Sequence, residues 1–245
     1  MKVAILSDIH ANLEALEAVL ADISAARIPR IFCLGDIVGY GASPSECCAR
    51  ISEIAEARVL GNHDEACLGR GHIEHFNFVA RTAALWTQKI MDESTRDYLE
   101  RAPMTFPLQA DGIEALLVHA SPHEPEEWHY VLSEHDAAAA FRACSDRLVF
   151  VGHSHVPGIF VEQGGEVGFH RALTVTLDPV CRYLVNVGSV GQPRDGDPRA
   201  AWCLVDPETR EVSVHRVVYD VEAAQKRIRD ANLPEILASR LAWGE

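Results

Sequence analysis

Short apolar runs alternate with stretches of helical periodicity through the first third of the chain. Residues 3–6 (VAIL) read as a strand buried on both faces. Residues 12–26 follow with Leu13, Leu16, Val19, Leu20 and Ile23 at three- and four-residue spacing, which predicts an amphipathic helix. The run 31–34 precedes a predicted helix at 44–54, and the run 58–60 precedes a longer helical stretch at 76–90. Strand, helix and strand in succession require right-handed crossovers and a parallel or mixed sheet. The pattern then changes. Segments 115–118, 148–151, 158–161, 173–177, 183–187, 201–205 and 212–218 are strand-like, with turn signals at Gly164-Gly165 and Asp206-Pro207. A second, more antiparallel sheet packed on the first accommodates them. The chain closes in helical pattern at 221–229 and 233–241, with Pro234 near a helix start. No linker-like stretch or internal repeat divides the sequence, so one α/β (α+β) domain over residues 1–245 is expected.

Composition narrows the functions open to such a fold. Lys and Arg number 22 against 36 Asp and Glu, a formal charge of −14, which repels phosphate backbones and disfavours unassisted docking on nucleic acid or an anionic membrane. With 48% hydrophobic residues the chain has ample material for a core. No apolar run approaches the roughly 18 residues of a spanning helix, and Asp8 and His10 come too early for the apolar region of a signal peptide. A cytoplasmic protein is expected. The 7 cysteines are odd in number, lack a CxxC pair and include adjacent Cys47 and Cys48, so they read as reduced thiols.

Five of the apolar runs end alike, with a metal-capable side chain just beyond the last apolar residue. Asp8 and His10 follow the first run, Asp36 the second, and Asn62 and His63 the third; His119 follows 115–118, and His153 and His155 follow 148–151. The carboxyl ends of parallel strands form one crevice in an open α/β sheet, so Asp8, His10, Asp36, Asn62, His119, His153 and His155 are expected to converge there. A lone histidine such as His119 at a strand end is more often a packed core residue than a ligand. The joint pattern carries the reading, because core packing does not require polar residues at five strand ends. Carboxylate, imidazole and one amide oxygen make a mixed O/N donor set suited to Mn, Fe, Zn or Ni, with manganese favoured. Seven protein groups are too many for one open catalytic ion. Two divalent ions about 3.5–4 Å apart, sharing a carboxylate and a water, use that number and clamp the oxygens of an in-line displacement at phosphorus. His63, next to Asn62, is placed to reach the leaving oxygen as a general acid, with Asp64 a candidate partner for its ring.

Read in order, Ser7-Asp8-Ile9-His10, Gly35-Asp36, Gly61-Asn62-His63-Asp64, Val118-His119 and Gly152-His153-Ser154-His155 resemble the five sequence blocks of the calcineurin-like metallophosphoesterase superfamily. The resemblance implies two mixed β-sheets in a sandwich flanked by helices. It implies one ion on Asp8, His10, Asp36 and His155, the other on Asp36, Asn62, His119 and His153, with Asp36 bridging and His63 catalytic. The stretches 186–196 (NVGSVGQPRDG) and 216–220 (RVVYD) resemble a bacterial branch of small single-domain members. One departure bears on substrate. Protein phosphatases and diadenosine tetraphosphatases of the superfamily continue the second block as Gly-Asp-x-Val-Asp-Arg-Gly, whereas here Gly39 and Tyr40 replace the Asp and the Arg.

The expected function is therefore hydrolysis of small phosphodiesters or phosphomonoesters by a metal-bridging hydroxide. A protein phosphatase or nucleotide pyrophosphohydrolase is the rival enzyme, and a non-catalytic binding scaffold the rival of another class. Candidate substrate contacts are Asn12, Tyr40, Trp128 and Arg194, the last as a substitute phosphate clamp, with a surface salt bridge as its alternative role. Residues 121–130 (SPHEPEEWHY) are expected to form a loop over the site, with Trp128 or Tyr130 stacking on substrate, or Trp128 serving instead as a buried anchor, and with His123 and His129 at the surface; His72 and His75 read as surface residues too. Cys67 reads as packing. The expected partner is a small phosphoester, with a homo-oligomer compatible with the sequence.

Overall fold

The computed structural model describes residues 1–71, 73–110 and 112–245; His72 lies outside them. The N-terminal half alternates as expected: β1 (Val3–Leu6), α1 (Leu13–Ala25), β2 (Arg30–Cys33), α2 (Pro44–Ile54), β3 (Ala55–Arg58). Asn12 starts α1 by accepting the Ala15 N–H on its side-chain oxygen, and Leu16, Val19, Leu20 and Ile23 form the buried stripe. After these come α3 (Asn62–Cys67), α4 (Phe78–Ile90), α5 (Glu93–Glu100), β4 (Thr105–Ala110), β5 (Ile113–Val118), α6 (Glu134–Ala143) and β6 (Leu148–Val151). The remainder is β7 (Gly158–Gln163), β8 (Glu166–His170), β9 (Thr174–Thr176), β10 (Arg182–Asn186), β11 (Ala200–Asp206), β12 (Glu211–Val217), α7 (Val221–Asp230) and α8 (Glu235–Ser239).

The strands form two six-stranded sheets, ordered β3-β2-β1-β11-β12-β9 and β4-β5-β6-β10-β7-β8. Both are mixed. In the first, β1–β2 and β2–β3 are parallel; in the second, β5–β6 and β6–β10 are parallel, and the outer pairs are antiparallel. The sheets pack face to face: Val3, Ile5, Phe32, Leu117, Phe150 and Val185 share one buried layer. The alternate residues Ala4 and Leu6 face the other way, into a core with α1, α2, α4, α7 and α8. A third apolar layer under α6 covers the outer face of the second sheet. No helix among the described residues is long and apolar enough to cross a membrane.

Several expectations are corrected. The segments 173–177, 201–205 and 212–218 do not join a second sheet: β11 pairs antiparallel with β1, and β12 and β9 extend the first sheet beyond it. Alternation gave their strand character but carries no information on which edge they seek. The third strand lies at Ala55–Arg58 rather than 58–60, because it begins directly at the end of α2. α4 starts at Phe78 because the Asn77 side chain caps the Ala80 N–H. The last helical segment is a short α8 followed by a 3-10 turn at Arg240–Ala242, with Pro234 as the cap. Helices α3, α5 and α6 and strands β4 and β8 were not foreseen; α5 and α6 are short, weakly apolar helices signalled by the caps Asp92 and Ser133.

Trp202 on β11 is 1% exposed, and its indole N–H donates to Asp22 on α1 at 2.9 Å, tying the first sheet to its covering helix. Trp202→Ala is expected to lower unfolding free energy by about 3–5 kcal/mol, read from urea denaturation. A loss under 1 kcal/mol would mean that this joint is dispensable.

Candidate metal centre

The parallel strands β1, β2, β3, β5, β6 and β10 deliver their carboxyl ends to one rim, and the chain leaves that rim in an unusual conformation. Asp8, His10, Asp36, His153 and His155 all have positive φ, between 49° and 64°, the left-handed region that non-glycine residues avoid. Backbone bonds between neighbouring loops hold them there: Asp8 N–H to Gly35 O (3.1 Å), His10 N–H to Asp36 O (2.9 Å) and Gly191 N–H to Asp8 O (2.9 Å). Two close approaches require glycine. A Cβ on Gly61 would stand 2.1 Å from Asp36 Oδ1, and one on Gly152 would stand 2.4 Å from Asp8 Oδ2.

Each carboxylate is half committed. Asp8 Oδ2 accepts the His153 N–H (3.0 Å) and Asp36 Oδ1 accepts the His63 N–H (2.8 Å), while Asp8 Oδ1 and Asp36 Oδ2 are buried without a hydrogen bond. The imidazoles are oriented in the same spirit. Nδ1 of His10, His119 and His155 faces the carbonyl oxygen of Val38 (3.2 Å), Leu34 (2.8 Å) and Gln192 (2.6 Å) respectively. A carbonyl only accepts, so Nδ1 carries the proton and a neutral ring turns the Nε2 lone pair inward. His153 Nε2 is likewise buried and unpartnered.

The inward atoms fall into two groups, Asp8, His10 and His155 in one and Asp36, His119 and His153 in the other, each with its donor atoms within 4.8 Å of one another. His155 Nε2 stands 3.2 Å from Asp8 Oδ1 and 3.1 Å from His10 Nε2. Asn62, the first residue of α3, places its Oδ1 3.2 Å from His119 Nε2. Asp36 Oδ2 lies between the groups, 3.6 Å from His10 Nε2 and 3.3 Å from His119 Nε2. Donors about 2.1 Å from one ion at 90–110° stand roughly 3.0–3.4 Å apart, so these spacings fit divalent ions. The seven residues expected to converge do so.

The charges tell the same story. Burial raises both carboxyls, but the surrounding imidazoles, His155 foremost at Asp8 and His119 at Asp36, outweigh it and hold both well below the usual carboxylate range. Burial lowers His153 to about 3, and at His155 burial with the Arg194 guanidinium gives about 4. At His119 burial is outweighed by the Asp36 carboxylate, which carries the ring up to about 9. Without a cation one ring keeps a proton that an ion has to displace.

His63 is buried, its ring 4.9 Å from that of His10 and 4.3 Å from that of Tyr40. Its Nδ1 is unpartnered and faces Gly39, whose Cβ position is 2.7 Å away. Burial lowers its pKa well below the ordinary value, against the pull of Asp36. Asp64 is not its partner: the Asp64 carboxylate accepts the N–H groups of Val38 (3.1 Å) and Gly61 (3.2 Å), capping α3 and tying the second block to the third. Burial and the Asp36 charge push Asp64 up to about 7.

Among the substrate candidates, Asn12 is corrected: its amide caps α1 and donates to Gly191 O (2.8 Å), which leaves it a structural residue. Tyr40 packs on His10 at 4.7 Å, and its hydroxyl meets Arg194 Nη2 at 3.3 Å. The 121–130 loop does lie over the pocket, but its rings rest on protein: Trp128 meets His119 edge-on at 5.8 Å and donates to Glu65 (3.2 Å), while Tyr130 stacks on His153 at 4.0 Å. Sequence reasoning missed a sixth strand end. At the end of β10 Asn186 donates to Gly152 O (2.6 Å), and just beyond it Ser189 donates to Asp8 O (2.8 Å), bracing the ligand loops. The signal lay in 186–196, whose polar and glycine pattern follows an apolar run as the other blocks do.

Gly61→Ala is expected to displace the Asp36 carboxylate and lower bound metal per chain, whereas Gly168→Ala, with nothing within 4 Å of its Cβ position, leaves metal content unchanged. Elemental analysis of the two variants side by side checks this, and equal content would show that the rim yields to the extra methyl.

The model of the calcineurin-like phosphoesterase superfamily domain matches residues 1–210. The uncharacterised protein MJ0912 of Methanocaldococcus jannaschii is 40% identical over 243 residues, 99% of this chain and 98% of that protein. A metallophosphoesterase structure from Sphaerobacter thermophilus matches with a TM-score of 0.86 at 41% identity, covering 100% of both chains. A hypothetical protein from Pyrococcus horikoshii, 22% identical, matches with a TM-score of 0.82 over 100% of this chain and 98% of its own, and shares the fold.

Proposed function

The chain belongs to the calcineurin-like phosphoesterase superfamily of metal-dependent hydrolases, and from that premise we propose that it hydrolyses small phosphodiesters or phosphomonoesters at a dinuclear centre. One observation carries the two-ion reading: Asp36 Oδ2 takes no hydrogen bond and stands between the two donor groups, 3.6 Å from His10 Nε2 and 3.3 Å from His119 Nε2. Asp8, His10, Asp36 and His155 would hold one ion, and Asp36, Asn62, His119 and His153 the other. When bound, the ions supply Lewis acidity toward phosphate oxygens and water, and the carboxylate-containing O/N set favours manganese. The 7 free thiols support work in the reducing cytoplasm.

The remaining roles belong to the chain's own groups. His63, whose Nδ1 lies against Gly39, would protonate a leaving oxygen as the ester breaks, the negative charge of a bound phosphate offsetting the burial that lowers its pKa. Gly39 and Tyr40 offer no guanidinium, so a monoester dianion gets less charge compensation from this loop than in the protein-phosphatase pattern. Arg194, anchored at Tyr40 and at Gln192 Oε1 (3.1 Å), returns a guanidinium to the same place from the loop after β10. A phosphoprotein substrate is disfavoured by the altered second block, and a scaffold role by the intact donor set.

Three outcomes are expected. Asp36→Ala leaves well under two metals per chain with the fold intact; unchanged metal content sinks the bridging assignment. His63→Ala keeps both metals but lowers turnover by about 10²–10⁴, less for nitrophenyl esters than for esters of poor leaving groups; equal losses across leaving groups mean that His63 orients phosphate instead. For nitrophenyl substrates with Mn, kcat/KM for the diester equals or exceeds that for the monoester, and Arg194→Ala harms the monoester more. A strong monoester preference that survives Arg194→Ala, or robust phosphopeptide hydrolysis, overturns the reading of the second block.

A further inference from the structure

Outside the buried pocket, another set of metal-capable side chains converges on the 121–130 loop. His123, Glu124 and His129 offer donor atoms that all lie within 4.8 Å of one another. Glu124 Oε2 is 3.2 Å from His129 Nε2 and 3.6 Å from His123 Nε2, and the two imidazoles stack at 5.4 Å with an 18° interplanar angle. Their side chains are 47%, 58% and 46% exposed in chain order, so no surrounding core forces them together.

The backbone gathers them. Glu124 has φ 48° directly before Pro125, where local sterics disfavour such a conformation. The 3-10 turn Pro125–Glu127 follows, and Trp128 at φ 56° reverses the chain so that His129 returns beside His123. A surface ion pair is worth about 0–1 kcal/mol, no more than the roughly 1–3 kcal/mol that one strained residue costs. The contacts of Trp128 and Tyr130 set the far end of the loop, whereas the pairing of Glu124 with the two histidines is a weak reason for the shape of its near end, and a ligand common to all three is a stronger one.

We propose that His123, Glu124 and His129 form a separate, surface site for a zinc-class divalent ion, and that its occupancy fastens the 121–130 loop over the neighbouring pocket. Two imidazoles and one carboxylate form a three-ligand zinc set with a coordination position left for water. The spacings of 3.2 Å and 3.6 Å bracket the edge of a tetrahedron around such an ion, and rotation of exposed side chains closes the third. Glu126 and Glu127 add negative charge, and no Lys or Arg occurs between 121 and 130. Two imidazoles and one carboxylate favour Zn, Ni or Cu over Mn, and the exposed three-residue set shares no ligand with the buried centre. The consequence for function follows from the chain path. An ion tying residues 123 and 124 to 129 closes a ring that contains Trp128 and adjoins Tyr130, the residues resting on His119 and His153. Zinc at the surface thus controls how freely substrate enters, whichever ester that substrate is.

The test uses full-length protein first saturated with Mn, then titrated with Zn against a chromophoric chelator, with Mn content measured in the same samples. The expected result is one further zinc equivalent per chain with Mn retained. That equivalent is lost in His123→Ala and in His129→Ala, whose Mn content and melting temperature match the wild type. Hydrogen exchange of 121–130 slows on zinc addition in the wild type and not in the variants. Undiminished zinc uptake by the His123→Ala/His129→Ala double variant, or zinc bound only as Mn departs, overturns the site. Loop exchange indifferent to zinc overturns the fastening.

Discussion

The burial of two carboxylates side by side governs this molecule. Asp8 and Asp36 are 0% and 1% exposed, and an uncompensated buried carboxylate costs several kcal/mol. The compensation at hand is imidazole, which cannot supply it in full: with His119 carried up to about 9 and His153 and His155 down to about 3 and 4, the rings compete for few protons. A like-charge array of several imidazolium ions in one buried pocket would repel itself. Divalent cations resolve the conflict, because each neutralises carboxylate charge while using the imidazole lone pairs that protonation would consume. The requirement then propagates outward, since lone pairs aim inward only if Nδ1 is held, and backbone carbonyls of Leu34, Val38 and Gln192 hold it.

Those carbonyls belong to the loops that leave the strand ends, so the electrostatic requirement becomes a backbone one. Five donor residues occupy left-handed conformations, each costing of order 1–3 kcal/mol. The sandwich sustains this because two of the strands entering the rim, β1 and β6, are buried on both faces and cannot slide. Glycines do the rest by absence: any side chain at 61 or 152 would occupy the space of a carboxylate oxygen. Rigid strands, strained turns and close glycines together fix seven side chains drawn from five separate segments.

This division explains what could be read from the chain. The central parallel strands β1 and β6 were legible because double burial writes itself as VAIL or LVFV, whereas β3 (AEAR) lacks that signature and was misplaced; the polar ends were legible because nothing in packing calls for Asp8 or His153 there. The placement of β9, β11 and β12 in the first sheet was not, since alternation marks a strand without naming its neighbour. Asp64 and Asn12 show a further limit. Both stand beside site residues in sequence and spend their side chains on helix starts and loop ties, a use set by backbone geometry that adjacency does not reveal. The roles of Ser189 and Asn186 were hidden for the same reason, as hydrogen bonds to carbonyls carry no sequence period.

The altered second block is a single coupled change rather than two losses. With glycine at position 39 the backbone comes against the His63 ring, and the 2.7 Å from its Cβ position to Nδ1 leaves no room for an Asp side chain there. The ring settles against Tyr40, which occupies the Arg position and packs on both His63 and His10. Tyr40 in turn presents its hydroxyl to Arg194, whose Nε is buried and free of protein partners. Guanidinium charge therefore reaches the pocket after all, but from the β10 loop that also holds His155 through Gln192 O. A clamp built into the second block would answer to Asp36 and the bridging position. One built on the β10 loop would answer to His155 and the first donor group, so the phosphate contact proposed for Arg194 would be tied to the geometry of that group.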